Sequence, residues 1–405
     1  MCGATTLVVE RGMFDCARAF LMTLVGKKVP HTYTKSISSN VMTTTMSSLR
    51  VLNARCVISR AFAETRRVPK TKKNNDGTIA TRGAATVAAA ASSNSNPQQQ
   101  MLRVLSWNVN GLRAAIKKNP SFLHELREKA NGFDVLCLQE TKLQQSHVEE
   151  VSSALVGENA QICFSCSTAR KGYSGVATMV VASSSNSSQP TPTFREGFHE
   201  NALERASFEK TEANVEAFDL FNREGRLITC ELEKAVVVNT YVPNSGEGLK
   251  RLRERIEVWE PAMRAHVACL REDMTMTTTK TSEGSAKQKP IVWMGDFNVA
   301  HEKSDLWGNW TQNEKSAGFT PEERRAFSNQ LKDLNLIDSF RYKFPNVKDK
   351  FTYWSYRAKS RERNRGWRID YALVSEGSRE RVRDAFILES FTGSDHCPLG
   401  VEIQL

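Results

Sequence analysis

Several short apolar runs in this sequence end abruptly in polar side chains, and this pattern constrains the fold more than any other feature. The clearest run is Ile291-Val292-Trp293-Met294, which predicts a buried strand. The residues that follow are Gly295-Asp296-Phe297-Asn298. Side chains two residues apart on extended backbone point to the same side, so Asp296 and Asn298 are expected to leave the strand end together. In α/β sheets, that end is where sites are built.

The same arrangement recurs along the chain, always beside a predicted strand. Taken alone, each example also fits a strand followed by an ordinary turn. Their repetition favours one shared polar site. The other polar residues expected at strand ends are Asn108, Asn110, Glu140, Asp370, Asp395 and His396.

The order of the predicted elements indicates an α/β fold. Strands become more frequent late in the chain, which favours two packed sheets covered by helices. We predict polar surface insertions at 183–214 and 275–289, where periodicity is low. Predicted helices cover 112–130, 146–155, 248–270 and 321–334. Predicted strands lie near 102–107, 134–138, 161–166, 174–182, 227–232, 235–242, 291–294, 351–356, 367–374, 385–391 and 398–404.

The net charge of +11 is concentrated in the first quarter of the chain. Residues 1–100 hold 14 basic and 4 acidic residues, against 42 and 41 in the remainder. This segment is rich in Ser, Thr and Ala, and we predict a disordered basic extension. The remainder, 101–405, is predicted to be the catalytic domain. Nucleic-acid binding there would need a local basic face.

Two targeting features overlap in the extension. From Cys16 to Ala63 there are seven basic residues and no acidic one, which is typical of a mitochondrial presequence. The basic cluster at 66–73 is typical of a nuclear import signal. A solvated basic tail would have the same composition. We expect a nuclear location first and a mitochondrial one second. We expect no membrane partner, since no apolar run is long enough to cross a bilayer.

The types of side chain at the strand ends predict the chemistry. Carboxylates and amides without paired Cys or His ligands favour a hard cation, Mg²⁺ before zinc, with Mn²⁺ as a substitute. A Mg²⁺ that is held by one or two carboxylates and accepts a phosphate oxygen is typical of phosphoryl transfer. Among these residue types, histidine is the one that ordinarily titrates near neutral pH, so His396 is the candidate for proton transfer, and a carboxylate such as Asp370 would fix its second nitrogen.

Nine short strings resemble those of one known family. They run in family order over 101–405, and together they are similar to the exonuclease III / apurinic-apyrimidinic (AP) endonuclease family of the DNase I-like superfamily. The strings are WNVNGLR (107–113), LQETK (138–142), GYSG (172–175), EGR (224–226), YVPN (241–244), GDFNVAH (295–301), AGFTPEER (317–324), GWRIDY (366–371) and GSDHCP (393–398).

The resemblance implies both a fold and an activity. The fold would be a four-layer α/β sandwich, with two packed mixed β-sheets flanked by helices and the site at one edge. The activity would be Mg²⁺-dependent hydrolysis of the phosphodiester 5′ to an abasic site in double-stranded DNA, which leaves a 3′-hydroxyl. The resemblance also implies 3′-phosphodiesterase activity and weaker 3′–5′ exonuclease activity. We expect a monomer.

The resemblance also assigns roles to individual residues. Asp296 resembles the group that orients or deprotonates the attacking water, and His396 the group that contacts the scissile phosphate. The remaining residues with implied catalytic roles are Asn298, Asp370, Tyr241 and Asn108. Glu140 resembles the principal metal ligand, with Asn110 and Asp395 in or near the metal shell.

The implied DNA contacts form two groups. Tyr353, Trp354 and Trp367 resemble the wall of a pocket for a flipped-out baseless sugar, which would exclude an intact base by size. Arg357 lies on the segment that contacts the lesion, at a position where family members often carry an apolar residue. The other implied contacts are to the DNA backbone: Arg113, Lys142, Tyr173, Arg226, Asn244, Arg251 and Asn313. Another departure is Glu247, where family members often carry a basic or bulky residue.

Two other functions stay open at this point. One is a phosphodiesterase or phosphatase of the same superfamily that acts on another phosphoester, such as a phosphoinositide, sphingomyelin or a protein–DNA adduct. The strings GWRIDY and TYW argue against it. The other is a catalytically silent DNA-binding regulator. Each predicted catalytic position carries a residue that could perform its role, which argues against a silent regulator.

Overall fold

The computed structural model describes residues 100–155, 160–181, 191–277 and 289–405. The predicted basic extension and its targeting signals lie outside these residues, with Gln100 as the exception. Residues 183–190 and 278–288, which belong to the two predicted insertions, also lie outside them.

Twelve strands in the described part of the chain form two six-stranded sheets. The strands are β1 (Met101–Asn108), β2 (Val135–Gln139), β3 (Ala160–Ser165), β4 (Val176–Val181), β5 (Thr193–Glu196), β6 (Leu227–Glu231), β7 (Val236–Tyr241), β8 (Ile291–Asp296), β9 (Leu336–Asp338), β10 (Asp370–Ser375), β11 (Val382–Ile387) and β12 (Leu399–Gln404). The first sheet has the order β11-β12-β1-β2-β4-β3, and the second has the order β5-β6-β7-β8-β10-β9.

The pairing directions bring the predicted polar residues to one edge. β1 is parallel to β2, and β7 is parallel to β8, so the C-terminal ends of each pair coincide. β12 is antiparallel to β1, and β10 is antiparallel to β8, so both begin at that same edge. The register places Asp370 opposite Asp296. Each sheet is therefore mixed.

Three apolar clusters separate four layers. Between the sheets, Val104 and Val135 pack with Val237 and Val292. The outer face of the first sheet packs against α1 (Leu112–Lys118), α2 (Phe122–Lys129) and α3 (Val148–Leu155). The outer face of the second packs against α4 (Ala202–Arg205), α5 (Glu212–Arg223), α6 (Glu260–Thr277) and α7 (Pro321–Asp333). The predicted four-layer α/β sandwich of two mixed sheets flanked by helices is confirmed.

Gly295 allows β8 to lie close to β7 at the site edge. Its φ is +146°, and a Cβ built there would meet the carbonyl oxygen of Thr240 at 1.9 Å. A side chain at this position would push the two central strands apart. Only glycine fits between the buried run and Asp296.

α7 shows how the local sequence fixes a helix start. The Thr320 hydroxyl accepts the backbone N–H of Glu323, while the Glu323 carboxylate accepts the backbone N–H of Thr320, which is a complete capping box. Pro321 at the first helical position needs no hydrogen-bond acceptor. The predicted helix from Pro321 ends within one residue of its expected end.

Some predicted elements were wrong. The helix predicted over 112–130 is two helices, because Pro120 cannot donate a hydrogen bond inside a helix. The strand predicted at 351–356 forms only isolated bridges. In the segment 248–270, a 3-10 turn at Glu247–Leu249 comes first, and α-helical structure begins at Leu252 and passes through a π-helical turn, Arg255–Trp259, into α6. No helix within the described ranges is long and apolar enough to cross a membrane.

The interpretation of 183–214 as a surface insertion is also corrected. Its described part carries β5, which pairs with β6, and α4. Phe198 and Phe208 are buried in the cluster behind the second sheet. These apolar residues are spaced too irregularly to show helical or strand periodicity, so the sequence pattern concealed their place in the core. The helix α6 likewise extends to Thr277, into the segment predicted as the second insertion.

Candidate active site

The chain turns sharply where three strands reach the site edge. Asn110, Glu140 and Asn298 each have a φ of +49°, directly after β1, β2 and β8. This left-handed conformation is uncommon outside glycine, and such residues concentrate at functional sites. The turns redirect the chain while the polar side chains stay at the edge.

Asn108 joins the two sheets at this edge. Its Nδ2 donates to Glu140 Oε1 at 3.1 Å and to Asp296 Oδ2 at 2.9 Å. Its Oδ1 accepts the backbone N–H of Asn110 at 3.0 Å. A fully buried amide whose polar atoms are all engaged is held in one orientation. The predicted residues of β1, β2 and β8 are therefore brought together by this one side chain.

Asp296 and Asn298 leave β8 together, as predicted. Asp296 Oδ1 accepts the backbone N–H of Asn298 at 2.8 Å. The Asn298 amide donates to Val242 O at 2.9 Å and accepts from Asn244 Nδ2 at 2.8 Å. Asn244 is exposed, so the chain of hydrogen bonds runs from the buried carboxylate to the surface.

His396 and Asp370 form the predicted pair. Nδ1 of His396 lies 2.8 Å from Asp370 Oδ2, and its Nε2 lies 3.9 Å from Asp296 Oδ2. Because the Asp370 carboxylate accepts the Nδ1 hydrogen, the imidazole orientation is fixed. Thr352, which the sequence did not single out, holds Asp370 in turn, since its hydroxyl accepts the backbone N–H groups of Ile369 and Asp370 at 3.1 Å.

Burial and neighbouring charges give Asp296 and His396 different pKa values. Burial, reinforced by the charge of Asp370, raises the pKa of Asp296 to about 7. Burial alone would lower the pKa of His396, but Asp370, with Asp296 and Asp395, outweighs it and raises this pKa to about 10. Asp296 is poised to take a proton near neutral pH, while His396 remains an imidazolium donor.

Glu140 lies beside a lysine and a tyrosine. Its Oε2 is 2.9 Å from Lys142 Nζ. Burial would raise the pKa of Glu140, but Lys142 outweighs that effect and lowers it, so the carboxylate stays ionised. Tyr241 hydrogen-bonds to Glu140, and burial raises the pKa of Tyr241 well above its usual value, so its phenol stays protonated.

Oxygen atoms of Glu140, Asn110 and Asp395 form a continuous set. The Lys142 ammonium also donates to Asn110 Oδ1, and Asn110 Nδ2 donates to Asp395 Oδ1 at 2.9 Å. The side-chain oxygens of Glu140 and Asn110 thus converge on a positive group. A set of carboxylate and amide oxygens that already faces a cation fits a hard metal ion.

A second cluster could also hold a metal. Single ligand atoms of Asp296, Asp370 and His396 lie within 4.8 Å of one another. Histidine binds metal as the neutral imidazole, whereas His396 is held as the cation by Asp370. The oxygen atoms around Glu140 are therefore better suited to bind a metal ion, and the His396 cluster is better suited to bind a proton.

Most of the predicted DNA contacts are at least partly exposed. Arg113, Asn244 and Arg357 are exposed, while six others are partly exposed: Lys142, Tyr173, Arg251, Asn313, Tyr353 and Trp367. Tyr173 OH accepts from Arg251 Nη1 at 3.1 Å. Asn313 Nδ2 donates to Asn309 O at 3.2 Å within a surface turn.

Arg226 is more deeply buried than the other predicted backbone contacts. It is only 2% exposed, and its guanidinium donates to Glu224, to Tyr241 O at 3.0 Å and to Tyr173 OH at 2.8 Å. It also lies 4.7 Å from the ring centroid of Tyr241. Arg226 therefore supports Tyr241 and Tyr173, and its contact with DNA stays a prediction.

Trp354 is also buried. It is 3% exposed and packs with Phe351 and Cys397, and its indole N–H donates to Asn364. Tyr353 and Trp367 belong to a different apolar cluster and are partly exposed. The role of Trp354 in the wall of the sugar pocket stays a prediction.

Arg255 is a supporting residue that the sequence did not reveal. Its guanidinium donates to the carbonyl oxygens of Phe297 and Asn298, each at 2.8 Å, and pairs with Glu323 at 3.0 Å. It holds the turn after β8 in place. A single arginine inside a charged helical run looks like a solvated side chain, so no sequence signal distinguishes it.

Comparison with known proteins identifies the family. Residues 105–396 match the Endonuclease/Exonuclease/phosphatase family. An exodeoxyribonuclease of Bacillus subtilis (strain 168) is 36% identical over 304 residues, covering 75% of this chain and 100% of that protein. A DNA-(apurinic or apyrimidinic site) endonuclease of Dictyostelium discoideum is 34% identical over 314 residues, covering 76% of this chain and 72% of that protein.

A solved structure agrees with these matches. The AP endonuclease LMAP from Leishmania major has a TM-score of 0.64 and 31% identity, covering 79% of this chain and 92% of that one. The resemblance to the exonuclease III / AP endonuclease family is confirmed. The chain belongs to the Endonuclease/Exonuclease/phosphatase family.

Proposed function

We propose that this protein is a Mg²⁺-dependent AP endonuclease that hydrolyses the phosphodiester 5′ to an abasic site in duplex DNA. The observation that carries the proposal is the meeting of Asp296, the His396–Asp370 pair and the oxygens around Glu140 at one edge. The names of the relatives support the choice of DNA as substrate.

The chain's own residues supply most of the chemistry. Asp296 Oδ2 takes a proton from the attacking water, and Asn298 holds that water and a phosphate oxygen. The His396 imidazolium and the neutral Tyr241 phenol donate hydrogen bonds to the phosphate. The P–O bond to water forms as the P–O3′ bond breaks, and solvent protonates the leaving 3′-oxygen. Glu140, Asn110 and Asp395 would hold the Mg²⁺, which neutralises charge developing on the phosphate oxygens.

The wall beside His396 supports selection of a baseless sugar. Tyr353 and Trp367 are partly buried and pack with Leu306, Phe319 and Ile369. Such an apolar wall favours a sugar without a base, because a base would need more room and polar partners. This same site would serve 3′-phosphodiesterase and weaker exonuclease activity.

A panel of end-labelled duplexes tests the proposal. One duplex carries a single abasic site, one a blocked 3′ end at a gap, and one is undamaged. We expect efficient Mg²⁺-dependent incision of the first, processing of the second, and slow end resection of the third. Mn²⁺ should replace Mg²⁺, and chelation should abolish all three. Binding of abasic DNA without cleavage at saturating Mg²⁺ would favour a silent regulator, while cleavage confined to non-nucleic phosphoesters would favour another superfamily substrate.

The location and assembly are also proposals. We propose a nuclear location, with the mitochondrion second, on the basis of the basic cluster at 66–73 and the acid-free stretch before it. We propose that the protein acts as a monomer. Microscopy of the tagged full chain and light scattering of the purified protein test these two points.

A further inference from the structure

Tyr353 is fixed beside the catalytic histidine by its backbone. Its N–H and C=O each pair with Trp367 at 2.9 Å, and a further bridge joins it to His396. The ring centroids of Tyr353 and His396 are 4.9 Å apart. The neighbouring Trp354 N–H donates to Asp395 O at 2.8 Å. The phenol ring is thus held between the pocket wall and the catalytic centre.

The ring of Tyr353 also lies close to the buried carboxylates of the site. It neighbours His396, whose Nδ1 is 2.8 Å from Asp370 Oδ2 and whose Nε2 is 3.9 Å from Asp296 Oδ2. Burial raises the pKa of Tyr353, and the charges of Asp395, Asp296 and Glu140 raise it further, while a hydrogen bond to Ser355 opposes them. The hydroxyl therefore stays protonated and is a hydrogen-bond donor at neutral pH.

Tyr353 differs from the rest of the wall. Its cluster consists of Ala300, Leu306, Trp310, Phe319, Trp367 and Ile369 besides Tyr353 itself. Among these described residues, Tyr353 is the one that carries a hydroxyl. The ring contributes apolar contact like its neighbours, while the hydroxyl adds one polar group to the wall.

The proposed substrate has one polar group where a base has been lost. A natural abasic site closes to a hemiacetal that bears a hydroxyl on C1′. Burying that hydroxyl against an apolar wall would leave it unpaired, which is unfavourable because the hydroxyl loses its hydrogen bonds to water. A wall that includes one hydroxyl removes this cost, but only for a sugar that carries the C1′ hydroxyl.

We propose that the Tyr353 hydroxyl hydrogen-bonds the C1′ hydroxyl of the abasic deoxyribose and so selects the natural hemiacetal lesion. This inference rests on the proposed AP endonuclease function. It makes Tyr353 a specificity-determining residue, distinct from the groups that carry out the hydrolysis.

Tyr353→Phe tests the proposal because it removes the hydroxyl and keeps the ring. Two duplexes are compared: one with a freshly made natural abasic site and one with a tetrahydrofuran site, which lacks the C1′ hydroxyl. In single-turnover incision, the wild type should favour the natural site, and the variant should lose about 3- to 10-fold on it, the range of one hydrogen bond. Cleavage of the tetrahydrofuran site should be unchanged. Tyr342→Phe, at an exposed tyrosine bonded to Glu380, is the matched control.

The outcomes separate the two proposals. An equal loss on both duplexes, or no loss on either, overturns the role of the hydroxyl in recognising C1′. If the wild type incises neither duplex, the AP endonuclease proposal fails instead. The ratio of dissociation constants for the two duplexes, measured in a metal chelator, then decides the Tyr353 proposal: a preference for the natural site that Tyr353→Phe abolishes supports it, and any other result contradicts it.

Discussion

At the scale of single residues, the candidate site holds neighbouring groups with different pKa values. Asp296 and His396 lie 3.9 Å apart, yet burial and charge bring the pKa of one to about 7 and that of the other to about 10. Such separation allows one group to accept a proton while the other donates hydrogen bonds. Asn108 supplies the geometry by bridging Asp296 and Glu140.

Asp296→Asn and His396→Ala should each lose most incision activity while still binding abasic DNA. Removing one preorganised transition-state group typically lowers the rate by about 10²–10³-fold. Single-turnover incision and equilibrium binding are measured at saturating Mg²⁺, with His301→Ala as a control outside the site. Near-normal turnover in either variant would remove the role assigned here.

At the scale of elements, the buried connections between helices and sheets set the pH range of the fold. His266 in α6 is fully buried: its Nδ1 accepts the backbone N–H of His199 at 2.9 Å, and its Nε2 lies 3.0 Å from Thr229 Oγ1. This neutral imidazole links α6 to β6 and to the chain before α4. Burial, together with the neighbouring His199 and Arg195, lowers its pKa from 6.5 to about 3.

This shift predicts loss of stability in acid. Below pH 6.5 the unfolded chain binds a proton at His266 that the folded chain does not, so the free energy of unfolding falls until the folded pKa is reached. Between pH 7 and pH 5 the contribution should be about 2 kcal/mol. Denaturant unfolding of the wild type and His266→Gln across this range isolates the effect. Equal pH slopes in the two proteins would show that His266 is not responsible.

The surface turn after β7 should control product release. Glu247 is exposed and begins the turn Glu247–Leu249, three residues from Asn244, which contacts Asn298. A carboxylate there would repel DNA phosphates, so Glu247→Arg should tighten binding of nicked product, lower steady-state turnover and leave single-turnover cleavage unchanged. Glu233→Arg, on the exposed β6–β7 connection at the opposite edge, is the control. An unaltered product affinity and salt slope in Glu247→Arg would place this turn away from the DNA.

At the scale of the whole molecule, the sequence predicted the layers and the core of the site but not its supports. Each strand end that carries Asn108, Glu140 or Asp296 could be predicted because apolar runs and polar ends are local signals. Arg255, Arg226 and Thr352 act through contacts between distant segments, which periodicity does not encode. For the same reason, the burial of the phenylalanines in 193–214 could not be predicted from the sequence.

The basic extension should add affinity without adding chemistry. Gln100 is the first described residue, and its carbonyl accepts the backbone N–H of Leu405 at 2.8 Å, so removal of residues 1–99 keeps this contact. The truncated protein should incise at the wild-type rate but bind undamaged DNA more weakly, with a shallower salt dependence, because most of the net positive charge is lost. A folded, metal-loaded truncation without activity would show that the extension belongs to the catalytic unit.

The central claim is that this edge directs water at the phosphorus 5′ to an abasic sugar. Incision of a duplex with one abasic site in H₂¹⁸O, followed by mass spectrometry of both fragments, tests it most directly. We predict one ¹⁸O atom in the 5′-phosphate of the abasic fragment and an unlabelled 3′-hydroxyl on the other, with product formed about 10²–10³-fold more slowly by Asp296→Asn. A 3′-unsaturated aldehyde, the product of β-elimination, with no ¹⁸O in the phosphate of either fragment would contradict the account.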